Sequence, residues 1–505
     1  MGLLAACGFR SRTRWCRIVD RTRSFKVRPQ ETQTDPQIMH PRRAFLQRMA
    51  GSVALAALLS EETQYFSAAH AATTNDPLAP RASHFTARAE RVIFLFSTGG
   101  ASHVDTFDYK PKLFADHGKT ITVDNWQGKL GQFPRFLKRP NWEFQPRGKS
   151  GVPVSDLFPH LGSVIDEVCV INSLSGDHTG HDKATMGMHT GSFNFARPSI
   201  GSWVSYGLGT ENRNLPSFVV IAPSPPYAGA QTWGSDFLPG CHQGTHLLPG
   251  KDPLPNVTPR SPNVQLQAIE LDLLNRVNRA DANRRGADDA LEARIRSFET
   301  AFGMQHAAPE ALDIRGETEE TLRLYGLDRA ANSGFAWQCL VARRLAERGV
   351  RFIELLDSGS GSASNWDSHG DMAAHGPLAK SIDQPIAGLI QDLKRRGLLD
   401  TTLIVWTTEF GRTPYNLAAD TKGREHHHQV FSSWLAGGGV RGGTIYGKSD
   451  DYGVAVGEDK VHVHDFHATI LHLLGLDHER LTFRHAGRDY RLTDVAGQVV
   501  QGVLS

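Results

Sequence analysis

Five short, almost uninterrupted apolar runs constrain this chain more than anything else in it. They are Arg91–Ser97 (RVIFLFS), Glu167–Asn172 (EVCVIN), Ser217–Ala222 (SFVVIA), Val350–Leu356 (VRFIELL) and Thr402–Thr408 (TLIVWTT). A strand with one wet face alternates apolar and polar residues. A run that is apolar throughout fits a strand buried on both faces. Val430–Ala436 reads as a sixth strand. Between these runs lie stretches of helical periodicity, at Phe335–Arg348, Leu378–Arg396 and His464–Leu474, each followed by glycine at a helix-stop position. Strands alternating with helices predict an α/β fold with a mainly parallel central sheet and helices on both faces. In such a sheet the ligand site lies past the carboxyl ends of the strands.

Residues 262–325 break the pattern, being charged and helical, and read as a helical insertion. Residues 223–261, rich in Pro and Gly, read as a long surface loop. Five cysteines without a CxxC pair exclude a disulfide scaffold and a zinc ribbon. The net charge of +2 hides an asymmetry: residues 1–71 hold 11 Lys and Arg against 5 Asp and Glu, which leaves the rest at −4. A basic surplus confined to one end gives no reason to expect a nucleic-acid partner.

That basic end reads as an address. Arg42-Arg43-Ala44-Phe45-Leu46 is a twin-arginine motif, Met49–Leu59 is an apolar stretch too short to span a bilayer, and Ala69-His70-Ala71 is a small-x-small cleavage site. The organisation expected is therefore a basic n-region and signal peptide over 1–71, a linker over 72–90, and the α/β domain from 91 to 505. The expected partner at this end is the twin-arginine export machinery, which carries folded proteins. The expected location is periplasmic or extracellular, with no membrane span in the mature chain. Met39 stands three residues before the arginine pair and is a second possible start.

The chemistry-bearing residues collect just after the strand runs. Gly99-Gly100-Ala101-Ser102-His103-Val104-Asp105 follows the first, and Asp177-His178-Thr179-Gly180-His181-Asp182 follows the second. Trp366-Asp367-Ser368-His369-Gly370-Asp371 lies beyond the fourth, with His375 close behind. Glu409-Phe410-Gly411-Arg412 and then Gly423-Arg424-Glu425-His426-His427-His428 come after the fifth. Imidazoles and carboxylates gathered at one end of a sheet suit Zn, Mn or Fe, and two such ions would polarise an ester and activate a nucleophile. The rival reading is a hydrogen-bonded network that fixes this end of the sheet. Neighbouring side chains of an extended segment alternate faces, so at most two of the three adjacent histidines serve one site. Arg412 suits a phosphate, a sulfate or a nearby carboxylate. His462 and His464 read as helix-entry capping with Asp465.

The Arg-Arg-x-Phe-Leu leader, VIFLFSTGGASHVDTFDYKP, WDSHG, TEFGRTP, GREHHHQVFSSWLAGGGVRGG and the closing HVHDFHATILHLLGLDHERLTFRHAGRDYRLTDV together resemble the bacterial family of domain of unknown function 1501. That family looks like a branch of the alkaline-phosphatase and sulfatase superfamily. The resemblance runs from Met39 to the C-terminus and implies a three-layer sulfatase-like sandwich. It implies one or two divalent ions (Zn, Mn or Ca) on Asp367, His369, Glu409 and His426, completed by His103 or Asp105. His181 or Thr179 would face the substrate, with Arg412 also in the catalytic group. The implied activity is metal-dependent hydrolysis of phosphate or sulfate esters, of small molecules or polysaccharides. The alternatives are a non-catalytic surface or carbohydrate-binding protein on the same scaffold, and a metal-dependent mutase or lyase. There are departures from the superfamily pattern: no Cys-x-Pro-x-Arg is present, the first strand lacks a double Asp, and Phe410 stands where a ligand is expected.

Overall fold

The computed structural model describes residues 76–126, 129–257, 263–286, 288–358 and 365–505. The stretch expected to be a leader, with its expected cleavage site, lies outside the described residues. Within the unit Asn75–Ser505, nine strands form the main sheet. They are β1 (Arg91–Ser97), β2 (Val168–Ser175), β3 (Phe218–Ile221), β4 (Thr245–Leu247), β5 (Phe352–Asp357), β6 (Thr402–Thr407), β7 (Phe431–Ala436), β8 (Thr444–Tyr446) and β9 (Val461–His462). Their order is β8-β2-β7-β6-β1-β5-β3-β4, with β9 also on β2. Only β7 runs antiparallel, to β6 and to β2; every other pairing is parallel.

The apolar runs separate by the period of two into two cores. Ile93 and Leu95 of β1, Ile353 and Leu355 of β5, and Ile404 and Trp406 of β6 face one side. Val92, Phe94 and Phe96, Phe352 and Leu356, and Leu403 and Val405 face the other. Seven helices matter here: α1 (His181–Thr190), α2 (Ile200–Leu208), α3 (Val264–Arg285), α4 (Asp289–Leu312), α5 (Phe335–Glu347), α6 (His375–Arg395) and α7 (Val463–Leu473). α5 and α6 cover the first face, and α6 does so with Leu378, Ile382, Ile386, Leu389, Ile390 and Leu393 at helical spacing. α2 and α7 cover the second through Trp203, Val204, Phe466 and Ile470. Each such side chain contributes about 1.5–3 kcal/mol by leaving water, so both faces of the sheet must be covered, and three layers result. α3 and α4 occupy the charged stretch that departed from the strand–helix pattern. Among the described residues no helix is long and apolar enough to cross a membrane.

β1 lies between β5 and β6 and runs parallel to both, in the registers Phe94–Glu354 and Phe94–Val405. Their carboxyl ends therefore open side by side, at Ser97, Asp357 and Thr407. Two glycines let the following loops close on one another. Gly99 has φ +109°, and a Cβ there would lie 2.5 Å from the Asp367 backbone nitrogen. A Cβ on Gly423 would lie 1.8 Å from the His369 carbonyl oxygen. A side chain at either position would force these loops apart.

Candidate functional site

The loops after β2, β5 and β6 bring His181, Asp367 and His426 together, with one ligand atom of each within 4.8 Å of the others. His181 opens α1, so its ring projects from the helix start toward the end of β6. Its Nδ1 lies 2.8 Å from Glu409 Oε1. Its Nε2 is buried without a well-formed hydrogen bond and lies 3.3 Å from Asp367 Oδ2. His426 Nδ1 is 2.7 Å from the Thr179 carbonyl oxygen, and its Nε2 is 3.3 Å from Asp367 Oδ1. His369, 40% exposed, places Nδ1 3.0 Å from Glu425 Oε2 and Nε2 3.0 Å from Asp367 Oδ1. The His369 and His426 Nε2 atoms are 2.8 Å apart.

These partners set the tautomer of one ring. The Thr179 carbonyl oxygen only accepts, so His426 Nδ1 carries a proton toward it. In the neutral His426 ring Nε2 then presents a lone pair toward Asp367 and His369 Nε2, while His181 and His369 each have a carboxylate oxygen near both ring nitrogens. That lone pair and the carboxylate repel each other unless a proton or a cation lies between them. The charges respond accordingly. Burial would raise the Asp367 carboxyl, but His181, His426 and the Arg412 guanidinium outweigh burial and hold it well below the usual carboxylate range. Burial also works against the His181 imidazolium, yet the Asp367 and Glu409 carboxylates prevail and raise its pKa. Burial keeps His426 below its ordinary value, with Arg412 and the other two rings adding to the effect against Asp367.

Glu409 sits behind His181 and not among the converging atoms. Its Oε1 accepts from Gly99 N–H at 2.7 Å as well as from His181, and its Oε2 accepts from Thr408 Oγ1 at 3.1 Å. A carboxylate on the far nitrogen of a histidine fixes ring orientation and raises its basicity. Arg412 is fully buried and committed. Nη2 reaches Asp367 Oδ1 at 2.5 Å and also Gly99 O, Nε donates to Gly100 O at 2.9 Å, and Nη1 to Arg424 O at 3.2 Å. Of the three partners open to Arg412, it takes the carboxylate. Thr179 meets the cluster through its carbonyl.

His103 and Asp105 are not among the converging groups. Both lie on the short helix His103–Thr106, which turns them into the protein, where both are buried. His103 Nε2 contacts Gly453 O at 2.9 Å, and burial lowers its pKa to about 3. Asp105 accepts from Arg424 Nε at 2.7 Å and from Ser102 Oγ at 2.6 Å. Arg424 in turn offers its carbonyl to Arg412, so Asp105 supports the site from one shell behind. His427 points away from His426 and stacks on His103 at 5.8 Å, as alternation in an extended segment requires. Phe410 fills the space beside the cluster, 4.5 Å from the His426 ring and 5.0 Å from His181. His462 and Asp465 form a capping box at the start of α7. Three participants carried no individual sequence argument. Glu425 was legible only as the carboxylate before the triple histidine, while Asn365, whose Oδ1 accepts from Asp367 N–H at 3.1 Å, and Tyr227, whose ring stacks on His181 at 4.0 Å, had no signal at all.

The fold and the cluster together define an α/β protein with a mostly parallel sheet and a histidine–carboxylate site past its carboxyl ends. The chain belongs to the family described as Protein of unknown function (DUF1501), whose model matches residues 89–504. Similar solved structures include the PsFucS1 sulfatase from Pseudoalteromonas sp., at 11% identity over 78% of this chain and 69% of that one, TM-score 0.32. They include alkaline phosphatase from the Antarctic bacterium TAB5, at 10% identity over 77% and 99%, TM-score 0.31. A protein in the alkaline phosphatase superfamily from Vibrio parahaemolyticus matches at 11% identity over 79% and 70%, TM-score 0.32. No curated protein matches the chain.

Proposed function

We propose that this is an exported, metal-dependent hydrolase of phosphate or sulfate esters, and that His181, His369, His426 and Asp367 hold its ion. One observation carries the reading: three imidazoles whose Nδ1 atoms face acceptors aim their Nε2 atoms at one carboxylate, two of them 2.8 Å apart. Three nitrogens and a carboxylate oxygen are a donor set for zinc, manganese or iron. A divalent ion there would polarise the ester and lower the pKa of a water. The chain does the rest. Glu409, Glu425 and the Thr179 carbonyl fix the three rings, Arg412 holds Asp367 ionised, and Phe410 excludes water from one side. Both His181 nitrogens face groups of the cluster, so the ring orients and binds and does not attack the substrate. Export rests on the twin-arginine leader, which makes the periplasm or the exterior the working location.

The Arg412–Asp367 pair, at 2.5 Å, favours a second reading, a non-catalytic binding protein in which arginine supplies the positive charge. Metal analysis of protein purified from an exporting host, followed by a panel of phosphate and sulfate esters, separates the two. Hydrolysis that requires the ion and is lost in Asp367→Asn supports the first. Metal-free protein that cannot be reconstituted removes it.

A further inference from the structure

Tyr227 lies in the Pro- and Gly-rich stretch that reads as a surface loop, yet it is held firmly at the site. The turn Pro226–Gly229 closes with a 2.8 Å hydrogen bond from Gly229 N–H to Pro226 O, and Gly229 takes φ +67°. The next residues form the 3-10 turn Gly229–Trp233, anchored by the buried Trp233. The tyrosine ring lies flat on the His181 imidazole, with centroids 4.0 Å apart and planes 16° from parallel. It remains 43% exposed although one face is covered. Asn365 ties it to the cluster. The Asp367 N–H, which can only donate, lies 3.1 Å from Asn365 Oδ1, so that atom is the amide oxygen. The amide nitrogen therefore faces Tyr227 Oη, at 2.6 Å, and donates to it. The phenol oxygen is thus an acceptor toward Asn365, and its own proton has no acceptor among the described residues.

We propose that Tyr227 is a ligand-contacting residue: its phenol O–H donates to an oxyanion bound at the cluster while its ring holds the His181 imidazole in position. The proposal rests on the metal-centre reading and adds the class of group recognised, a tetrahedral oxyanion met by an uncharged donor. Phosphate and sulfate share that chemistry. A neutral donor adds affinity at a site already holding Arg412 without placing a second fixed cation beside His181.

The test is calorimetry on the full mature chain. Zinc is titrated into stripped protein, and then inorganic phosphate and, separately, sulfate into zinc-loaded protein, for wild type, Tyr227→Phe and Tyr227→Ala. Tyr227→Phe keeps the ring and loses the proton. It is expected to bind zinc within about twofold of wild type and to lose about tenfold or more in affinity for whichever anion wild type binds. Tyr227→Ala is expected to weaken both zinc and anion. Undiminished anion binding by Tyr227→Phe overturns the proposal and leaves the metal centre standing. Zinc-loaded wild type that binds neither anion also overturns it, and wild type that binds no zinc removes the underlying reading as well.

Discussion

Acidification should unfold this protein well above the pH at which its carboxylates titrate, because several histidines are buried neutral. Burial holds His103, His242, His375 and His467 at about 3 and His427 at about 4, against an ordinary 6.5. The sign follows from linkage. These folded-state values lie below the unfolded one, so their stabilisation is complete above pH 6.5. It is lost as the pH falls toward 3–4, where the unfolded chain binds protons that the folded chain refuses. Between pH 6.5 and 5 each group loses about 2 kcal/mol, at about 1.4 kcal/mol per pH unit. Together the five lose roughly 8 kcal/mol, comparable to the entire stability of a typical domain, about 5–15 kcal/mol. His181 and His189, whose values are raised by Glu409, Asp367 and Glu354 against the opposing effect of burial, work in the other direction. Their contribution is present at low pH and lost on going alkaline, which offsets part of the total. Urea unfolding of metal-stripped protein at half-unit steps from pH 7.5 to 4.5 reads this directly. The midpoint should fall steeply below pH 6.5, and His467→Gln should remove about 2 kcal/mol of the difference between pH 7 and 5. A midpoint that stays level down to pH 5 would refute the claim that these rings are buried neutral.

Other outcomes follow from the site. Asp367→Asn removes the carboxylate shared by three rings and Arg412; metal content should fall to background with the fold intact by circular dichroism. Glu409→Gln still accepts from His181 but loses charge behind it, and metal affinity should weaken about 10–100-fold by competitive chelation. Metal affinity should also decline from above pH 6.5 downward, because the raised pKa of His181 lets protons compete for its Nε2 early; an affinity constant from pH 8 to 6 would contradict that assignment. Arg42→Lys with Arg43→Lys should retain the chain in the cytoplasm, which fractionation reports.

The central sheet was legible because burial on both faces leaves a compositional mark. β1, β5, β6 and β7 fall within a residue or two of their apolar runs, and α5, α6 and α7 within three residues of their periodic stretches. β4, β8 and β9 were not legible, since strands of two or three residues are edge pairings that a partner strand creates and no local pattern encodes. The site shows the same division. Position after a strand gives the end of the sheet, which is why Asp367, His369 and His426 meet. It does not give the direction of a side chain. His103 and Asp105 follow β1 just as closely, but one helical turn rotates them inward onto Gly453 and Arg424. Glu409 follows β6 and is drawn behind His181 by the Gly99 N–H and Thr408. Tyr227 arrives from a loop more than a hundred residues away in sequence from Asp367, and only the folded chain puts its ring on His181.

The most direct test of the account is metal stoichiometry by equilibrium dialysis, with zinc and then manganese, on stripped protein at pH 7.5. Wild type is compared with a variant carrying His369→Ala and His426→Ala. The account predicts at least one ion bound per wild-type chain and none by the variant, whose metal-free unfolding midpoint stays close to wild type. Wild type that binds neither ion, together with an Asp367→Asn variant more stable than wild type, would contradict it and make the cluster a structural network.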